Sequence, residues 1–400
     1  MSGQPKGPLV GLRVLDFSIV IAGPMATTLL ADFGAEVVKV ERPGVGDPLR
    51  MWAPFKDGQS LWWKNHSRNK KSITLNLAKP EGQAIAKELV GKADVAVESF
   101  QPGSMERWGL GYDALSAVNP RLVMLRMSGF GQTGPYKERP GFGTVAEAMS
   151  GLAQITGFPD GPPILPAFPM ADEVAGTFGA MAIMMAIYHR ERTGEGQWID
   201  ASLYEPLFRF MIPNVPEYDQ LGVVRGRFGN ELADAAPRNL YQAKDGKWLS
   251  MSASTQGIWE RVAVAIGREG LIKDPRFIDN TTRVKNRVEL NAYIQDWVGS
   301  LPLEEAMAKM REAGAVVGPV YDSAMIASDP QYLEREDVVT IDDPDLGPLQ
   351  VHAPVPKLSK TPGAIHKAAP RLGEDNESVY GEWLGYDAKK VAQLKEQGLI

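Results

Sequence analysis

Between Leu12 and Gly131 the chain carries five short apolar runs, LRVLDFS, AEVVKVER, SITLNL, ADVAVES and RLVMLRMSGFG, with helical patterns between them at about Pro24 to Phe33 and Pro80 to Val90. Runs rich in Val, Ile and Leu without strict alternation are strands covered on both faces, and helices between such strands build βαβ units. A parallel, Rossmann-like α/β sheet is therefore expected. The turn after the first run reads Asp16-Phe17-Ser18-Ile19-Val20-Ile21-Ala22-Gly23-Pro24 and holds no G-x-G-x-x-G, so the usual dinucleotide fingerprint is absent. In an open sheet of this kind the ligand crevice lies beyond the carboxyl ends of the strands. Arg42, the stretch from Arg68 to Lys71, and Arg107 stand at or near strand ends. Several cations at one sheet edge suit phosphate groups, Arg as a bidentate fork and Lys as a point charge. A polyanionic ligand is expected there.

With 400 residues, the chain has length enough for more than one domain. Residues 1–205 read as the N-terminal part of the large domain and 206–229 as a Pro- and Gly-rich linker. A smaller α+β domain is expected over 230–327, with a turn at Lys244-Asp245-Gly246-Lys247 and helices at about Gly257 to Gly267, Thr282 to Ser300 and Pro302 to Gly314. A second linker over 328–357 leads to C-terminal helices, 358–400, that return to the large domain. The net charge of −6 argues against a nucleic-acid partner. The absence of Cys removes disulfides, thiolate nucleophiles and Cys-ligated metals together. His66, His189, His352 and His366 show no metal-ligand spacing, so no metal is expected. The opening MSGQPKGPLVGL has no apolar core of a signal segment, and the apolar run from Val174 to Tyr188 is short of a bilayer span. A cytoplasmic protein without membrane attachment is expected, with Met181 to Met185 in its core.

Within PMADEVAGTFGAMAIMMAIYHRERTGEGQWIDASLYE, Pro169 to Glu205, Asp172 stands at the mouth of a helix. It reads either as a helix cap, accepting from free backbone N–H groups, or as a carboxylate nucleophile.

VLDFS-x-x-x-AGP at Val14 to Pro24, GAEVVKVERP at Gly34 to Pro43, NKKSITLNL at Asn69 to Leu77, ADVAVESFQPG at Ala93 to Gly103, SGFGQTGP at Ser128 to Pro135, the Asp172 segment and RTGEGQWID at Arg192 to Asp200 succeed one another along the chain. In this order the chain resembles the class III coenzyme A transferases, the CaiB–BaiF family. The resemblance implies a Rossmann-like large domain and a small domain in an interlocked homodimer. Asp172 is then the catalytic nucleophile, and Arg42, Asn69, Lys70, Phe100 and Arg107 bind CoA, the cations at phosphates and Phe100 near the adenine or pantetheine. The implied reaction passes CoA from an acyl-CoA to a carboxylic acid through aspartyl anhydride and aspartyl-CoA thioester, with acyl-CoA as substrate and no permanently bound cofactor. Backbone N–H groups at the helix start near Asp172 are expected to serve the developing oxyanion. Ile19 and Ile21 replace the polar His and Gln of formyl-CoA-acting members, and Phe142 replaces a Tyr. These three, with Arg238 as a partner for a second acceptor carboxylate, are the expected substrate contacts. The alternatives are an α-methylacyl-CoA racemase, whose base would face Asp172 where this chain reads Gly141-Phe142-Gly143, and a non-catalytic homologue that binds CoA esters.

Overall fold

The computed structural model describes residues 7–400. Strands β1 (Arg13–Asp16), β2 (Glu36–Glu41), β3 (Lys70–Thr74), β4 (Val95–Glu98), β5 (Val123–Ser128) and β6 (Gln197–Ser202) form one sheet in the order β3-β2-β1-β4-β5-β6, every neighbouring pair parallel. This is the doubly wound Rossmann order, which reverses between β1 and β4. Successive residues point to opposite faces, so Val14, Val37 and Val95 pack with Ala26, Leu30 and Ile183 on one side. Leu15, Val38 and Ala96 pack with Ile85, Leu89 and the C-terminal Tyr380 and Trp383 on the other. Both sets are buried, which is why these strands read as continuous apolar runs.

Three helices stand closest to the loops at the reversal: α1 (Ala22–Asp32), α2 (Gly143–Met149) and α3 (Met170–Thr193). The first and third pack almost backbone to backbone, since a Cβ added at Gly176 would lie 2.6 Å from the Ala22 carbonyl oxygen. The expected core role of Met181 to Met185 is not met: Ile183 is buried, but Met181 and Met185 are exposed. Among the described residues nothing covers that face of α3.

The chain divides into two compact units. The first runs to Leu152 and resumes over Leu165–Pro216 and Gln331–Ile400, while the second comprises Ala153–Ile164 and Glu217–Pro330. In the second, β7 (Arg238–Gln242), β8 (Trp248–Ser252) and β9 (Val317–Pro319) form an antiparallel sheet in the order β9-β8-β7. Gly246, with φ +80°, makes the turn between β7 and β8. Trp259, Leu290, Ile294 and Met310 fill its core. The helix expected over Thr282 to Ser300 is two, Asn280–Lys285 and Arg287–Gly299, because Asn286 turns its side chain back onto the Thr282 carbonyl at 2.9 Å and interrupts the run. The stretches read as linkers also carry structure: helices Tyr204–Phe210 and Asn214–Leu221 in one, and the hairpin Val338–Asp343 with Gly347–His352 in the other.

Candidate active site

The loop from β1 into α1 rests on a buried network of charges. The Asp16 carboxylate accepts from Thr27 Oγ1 at 2.6 Å and from the Ser18 hydroxyl, with Lys70 Nζ at 3.2 Å and Lys39 Nζ at 3.6 Å. Burial alone would raise its pKa, but Lys39 and Lys70 together with the Ser18 and Thr27 hydrogen bonds outweigh burial and hold the carboxyl below the usual range. Lys39 also pairs with Asp47 at 3.0 Å, and Asp47 in turn accepts the Val20 N–H at 3.1 Å. Val20 needs such a hold, because a β-branched residue at φ +67° is strained. The network thereby fixes the loop that presents Ile19.

Two of the residues expected to bind CoA belong to this interior instead. Lys70 is 0% exposed, with Nζ donating to Asp16, the Pro24 carbonyl and Thr27, and burial pushes its pKa down to about 8. It begins β3, level with Val37, and so stands at the end of its strand away from the ligand edge. Asn69 is 4% exposed; its amide donates to Asp32 and the Ala364 carbonyl, and its oxygen accepts from the N–H groups of His366 and Lys367. It ties the C-terminal segment to the sheet, and its φ of +62° is one that Asn tolerates. Neither side chain has a face left for a phosphate.

At the reversal between β1 and β4 the loops open two cavities that share Ile19 and Phe100. One, of about 410 Å³, is lined by the exposed Arg42 together with Leu75, Leu77 and Trp108, whose ring meets Phe100 edge-on at 5.1 Å. Arg107 is exposed on the neighbouring turn Ser104–Arg107, donates to Ser104 Oγ at 2.9 Å, and lies outside both linings. The other, of about 310 Å³, brings Phe142 and Asp172 together with Lys137 and Arg139. Those two cations were not anticipated, although YKERP directly follows the SGFGQTGP loop in sequence.

Asp172 is the third residue of α3 and does not cap it; the capping position is Pro169, which offers no side-chain acceptor. The first-turn N–H groups are also engaged: Met170 donates to the Phe168 carbonyl at 2.7 Å, Ala171 to Glu147 Oε1 at 3.3 Å and Glu173 to the Pro169 carbonyl at 3.1 Å. Of the donors expected to serve an oxyanion at the helix start, these three are thus taken up, and the Asp172 N–H lies against its own carboxylate. Burial first, then the charges of Glu147 and Glu173, push the Asp172 pKa up to about 6. Among the described residues no cation offsets them as Lys39 and Lys70 do at Asp16. Glu173 itself pairs with His66 Nε2 at 2.9 Å. The Asp172 carboxylate lies against the bare Cα of Gly143, where an added Cβ would come within 2.0 Å of Oδ2. It faces a further cavity of about 500 Å³ lined by Ile21, Phe142, Glu147 and Phe168.

Glu147 went unnoticed in the sequence, although a signal for it exists. Gly143, Ala146, Glu147 and Ser150 recur at helical spacing and all are buried, so the stripe of small residues that faces the interior contains one carboxylate. Arg238 belongs to the second unit. It lines a cavity of about 590 Å³ with Asn230, Asn239, Ser250 and Ser252, and Nη1 donates to the Asn230 carbonyl at 3.1 Å.

Comparisons with known proteins bear on this geometry. A family model described as CoA-transferase family III matches residues 9–376. Over 400 residues the chain is 42% identical to a succinyl-CoA–D-citramalate CoA-transferase of Chloroflexus aurantiacus, covering 100% of each chain. Over 406 residues it is 34% identical to a succinyl-CoA:glutarate CoA-transferase of Mus musculus, covering 100% of this chain and 93% of that one. Among solved structures, a CAIB/BAIF family protein from Brucella suis matches with a TM-score of 0.84 at 31% identity, over 94% of this chain and 100% of that chain.

Proposed function

The chain belongs to CoA-transferase family III and is a CoA-transferase, and we propose that it moves CoA from succinyl-CoA, or a close dicarboxylic thioester, to a second dicarboxylic acid with Asp172 as nucleophile. The relatives named for succinyl-CoA with citramalate or glutarate support this substrate class. The observation that carries the chemistry is the Asp172 carboxylate itself, which neither caps its helix nor pairs with a cation among the described residues, in the wall of a cavity at the strand-order reversal. In a chain without Cys a thiolate nucleophile is excluded, which leaves the carboxylate of Asp172 as the group in this cavity suited to covalent acyl transfer.

The Asp172 carboxylate attacks the thioester carbonyl, the C–S bond breaks, and CoA leaves as thiolate from a mixed anhydride. The thiolate then attacks the aspartyl carbonyl, releasing the donor acid as carboxylate and leaving CoA on Asp172 as a thioester. The acceptor carboxylate reverses both steps. Phe100 and Trp108 offer an aromatic corner for the adenine or pantetheine, with Arg42 and Arg107 toward the phosphates. Ile19, Ile21 and Phe142 make the acyl surroundings apolar. CoA comes and goes as substrate, and no resident cofactor or metal takes part.

The protein works as an interlocked homodimer in the cytoplasm. Exposed Phe208, Phe210, Ile212, Leu221 and Val224, together with Met181 and Met185 on α3, are more apolar surface than a lone chain usually leaves to water. Differently tagged dimers should fail to mix over hours. The chemistry is tested by incubating the enzyme with succinyl-CoA and a panel of mono- and dicarboxylic acids, resolving products by mass. Dicarboxylic acceptors should dominate, and a peptide containing Asp172 should carry a CoA adduct. Turnover near the wild-type level in Asp172→Ala would sink the assignment.

A further inference from the structure

The transfer chemistry moves a charge as well as a thioester, and Glu147 bears on that movement. Its side chain is 3% exposed, yet among the described residues its carboxylate accepts a single hydrogen bond, the 3.3 Å contact from the Ala171 N–H. A carboxylate this deep normally has a cation or several donors. Glu147 has a backbone amide and, facing it across the same cavity, another carboxylate. The charged groups around Asp172 are Glu147 from α2, Glu173 beside it on α3 with His66 as partner, and Lys137 and Arg139 at the exposed lip of the neighbouring cavity. Glu147 is buried and Glu173 half-buried, whereas the cations are bathed in solvent and screened.

We propose that Glu147 is a positioning residue for CoA transfer that holds the first turn of α3 through the Ala171 N–H and, by its buried charge, disfavours the free Asp172 carboxylate relative to the acylated enzyme. The proposal rests on the reading of Asp172 as nucleophile. In the half-reaction, aspartate anion and acyl-CoA become aspartyl-CoA thioester and free carboxylate, so one carboxylate charge is lost beside Glu147 and one appears on an acid that departs. Relief of repulsion at Asp172 therefore favours the loaded enzyme; burial first, and then the same repulsion from Glu147 and Glu173, raises the pKa of Asp172.

Glu147→Gln keeps the shape and the acceptor for Ala171 while removing the charge, and Glu147→Asp keeps the charge. Each would be incubated with succinyl-CoA alone, and the ratio of enzyme–CoA thioester to free enzyme read by intact mass; the acid limb of kcat/KM would be followed in parallel. In Glu147→Gln the ratio should fall about tenfold and the limb should move down by about one pH unit, the two being one free-energy change. Glu147→Asp should stay near wild type in both. If folded Glu147→Gln leaves both readings unmoved, or if Glu147→Asp behaves as Glu147→Gln does, the charge has no such role. Asp172→Asn separates the two levels: a CoA adduct persisting in it overturns the nucleophile reading, whereas its absence beside an unmoved Glu147→Gln overturns only the role given to Glu147.

Discussion

Asp16 is a buried carboxylate and Asp172 a half-buried one, on either side of one loop system, and they have opposite fates. Asp16 has two lysines and two hydroxyls, and its charge is held so firmly that its pKa falls in spite of complete burial. Asp172 has Glu147 and Glu173 for neighbours, and its pKa rises to about 6. Burial raises both; what decides the outcome is the sign of the charges that surround each. A satisfied carboxylate builds structure, while an unsatisfied one in a cavity is available for reaction.

The largest test of this contrast is on turnover. Asp172→Asn, nearly isosteric, should lower kcat by about 10⁴-fold or more, since removing a covalent nucleophile leaves only binding and orientation, while a titration with CoA ester should find affinity little changed. Breaking the other side should cost fold rather than chemistry. Lys70→Met leaves Asp16 with one lysine and should destabilise the protein by about 3 kcal/mol in denaturant melts, with the Michaelis constant for CoA ester unmoved in whatever remains folded. A raised Michaelis constant at unchanged stability would return Lys70 to the phosphates. At Gly143 a methyl group meets the Asp172 carboxylate, so Gly143→Ala should reduce kcat by about 10²-fold through displacement of the nucleophile, detectable by steady-state kinetics with wild-type melting behaviour.

The smallest effect concerns pH. Asp172, with its folded pKa raised to about 6 from 3.8, binds more protons folded than unfolded between those values, so its contribution to stability falls as pH rises through that window. Asp172→Asn should therefore be more stable than wild type at pH 7.5 by about 1–2 kcal/mol, a range reduced for partial solvent access, and the gain should vanish near pH 4. Asp16 has the opposite sign: its folded pKa is depressed, so its stabilisation is present above the ordinary carboxylate value and is lost as pH falls below it. Thermal melts of Asp172→Asn and Asp16→Asn against wild type across pH would show differences of opposite slope; equal slopes would dissolve the contrast.

The sheet was legible because Val, Ile and Leu runs such as ADVAVES can hardly be anything but strands buried on both faces. Asp172 was legible through its helix mouth and its motif, and Arg42 and Phe100 do line one cavity. Lys70 was misread because its partners, Asp16, Pro24 and Thr27, are distant in sequence, and nothing in NKKSITLNL distinguishes a lysine drawn into the interior from one at a solvated strand end. The N-cap reading of Asp172 failed through a shift of three residues that puts Pro169 at the cap. Glu147 was passed over because a single Glu on a short helix resembles any solvated one unless the small residues spaced with it are read as a buried stripe.

The close seating of α3 on α1, through Gly176 against the Ala22 carbonyl, has a consequence for how such a protein diversifies. Asp172 rides on a helix locked to the central sheet, so its coordinates are inherited from the most constrained part of the molecule. Ile19, Phe142 and Arg238 sit on loops or at a strand start, where replacement disturbs little else. Under the roles proposed for these residues, lineages sharing this frame are free to exchange one acid for another by drift in peripheral positions, without rebuilding the group proposed to carry the thioester.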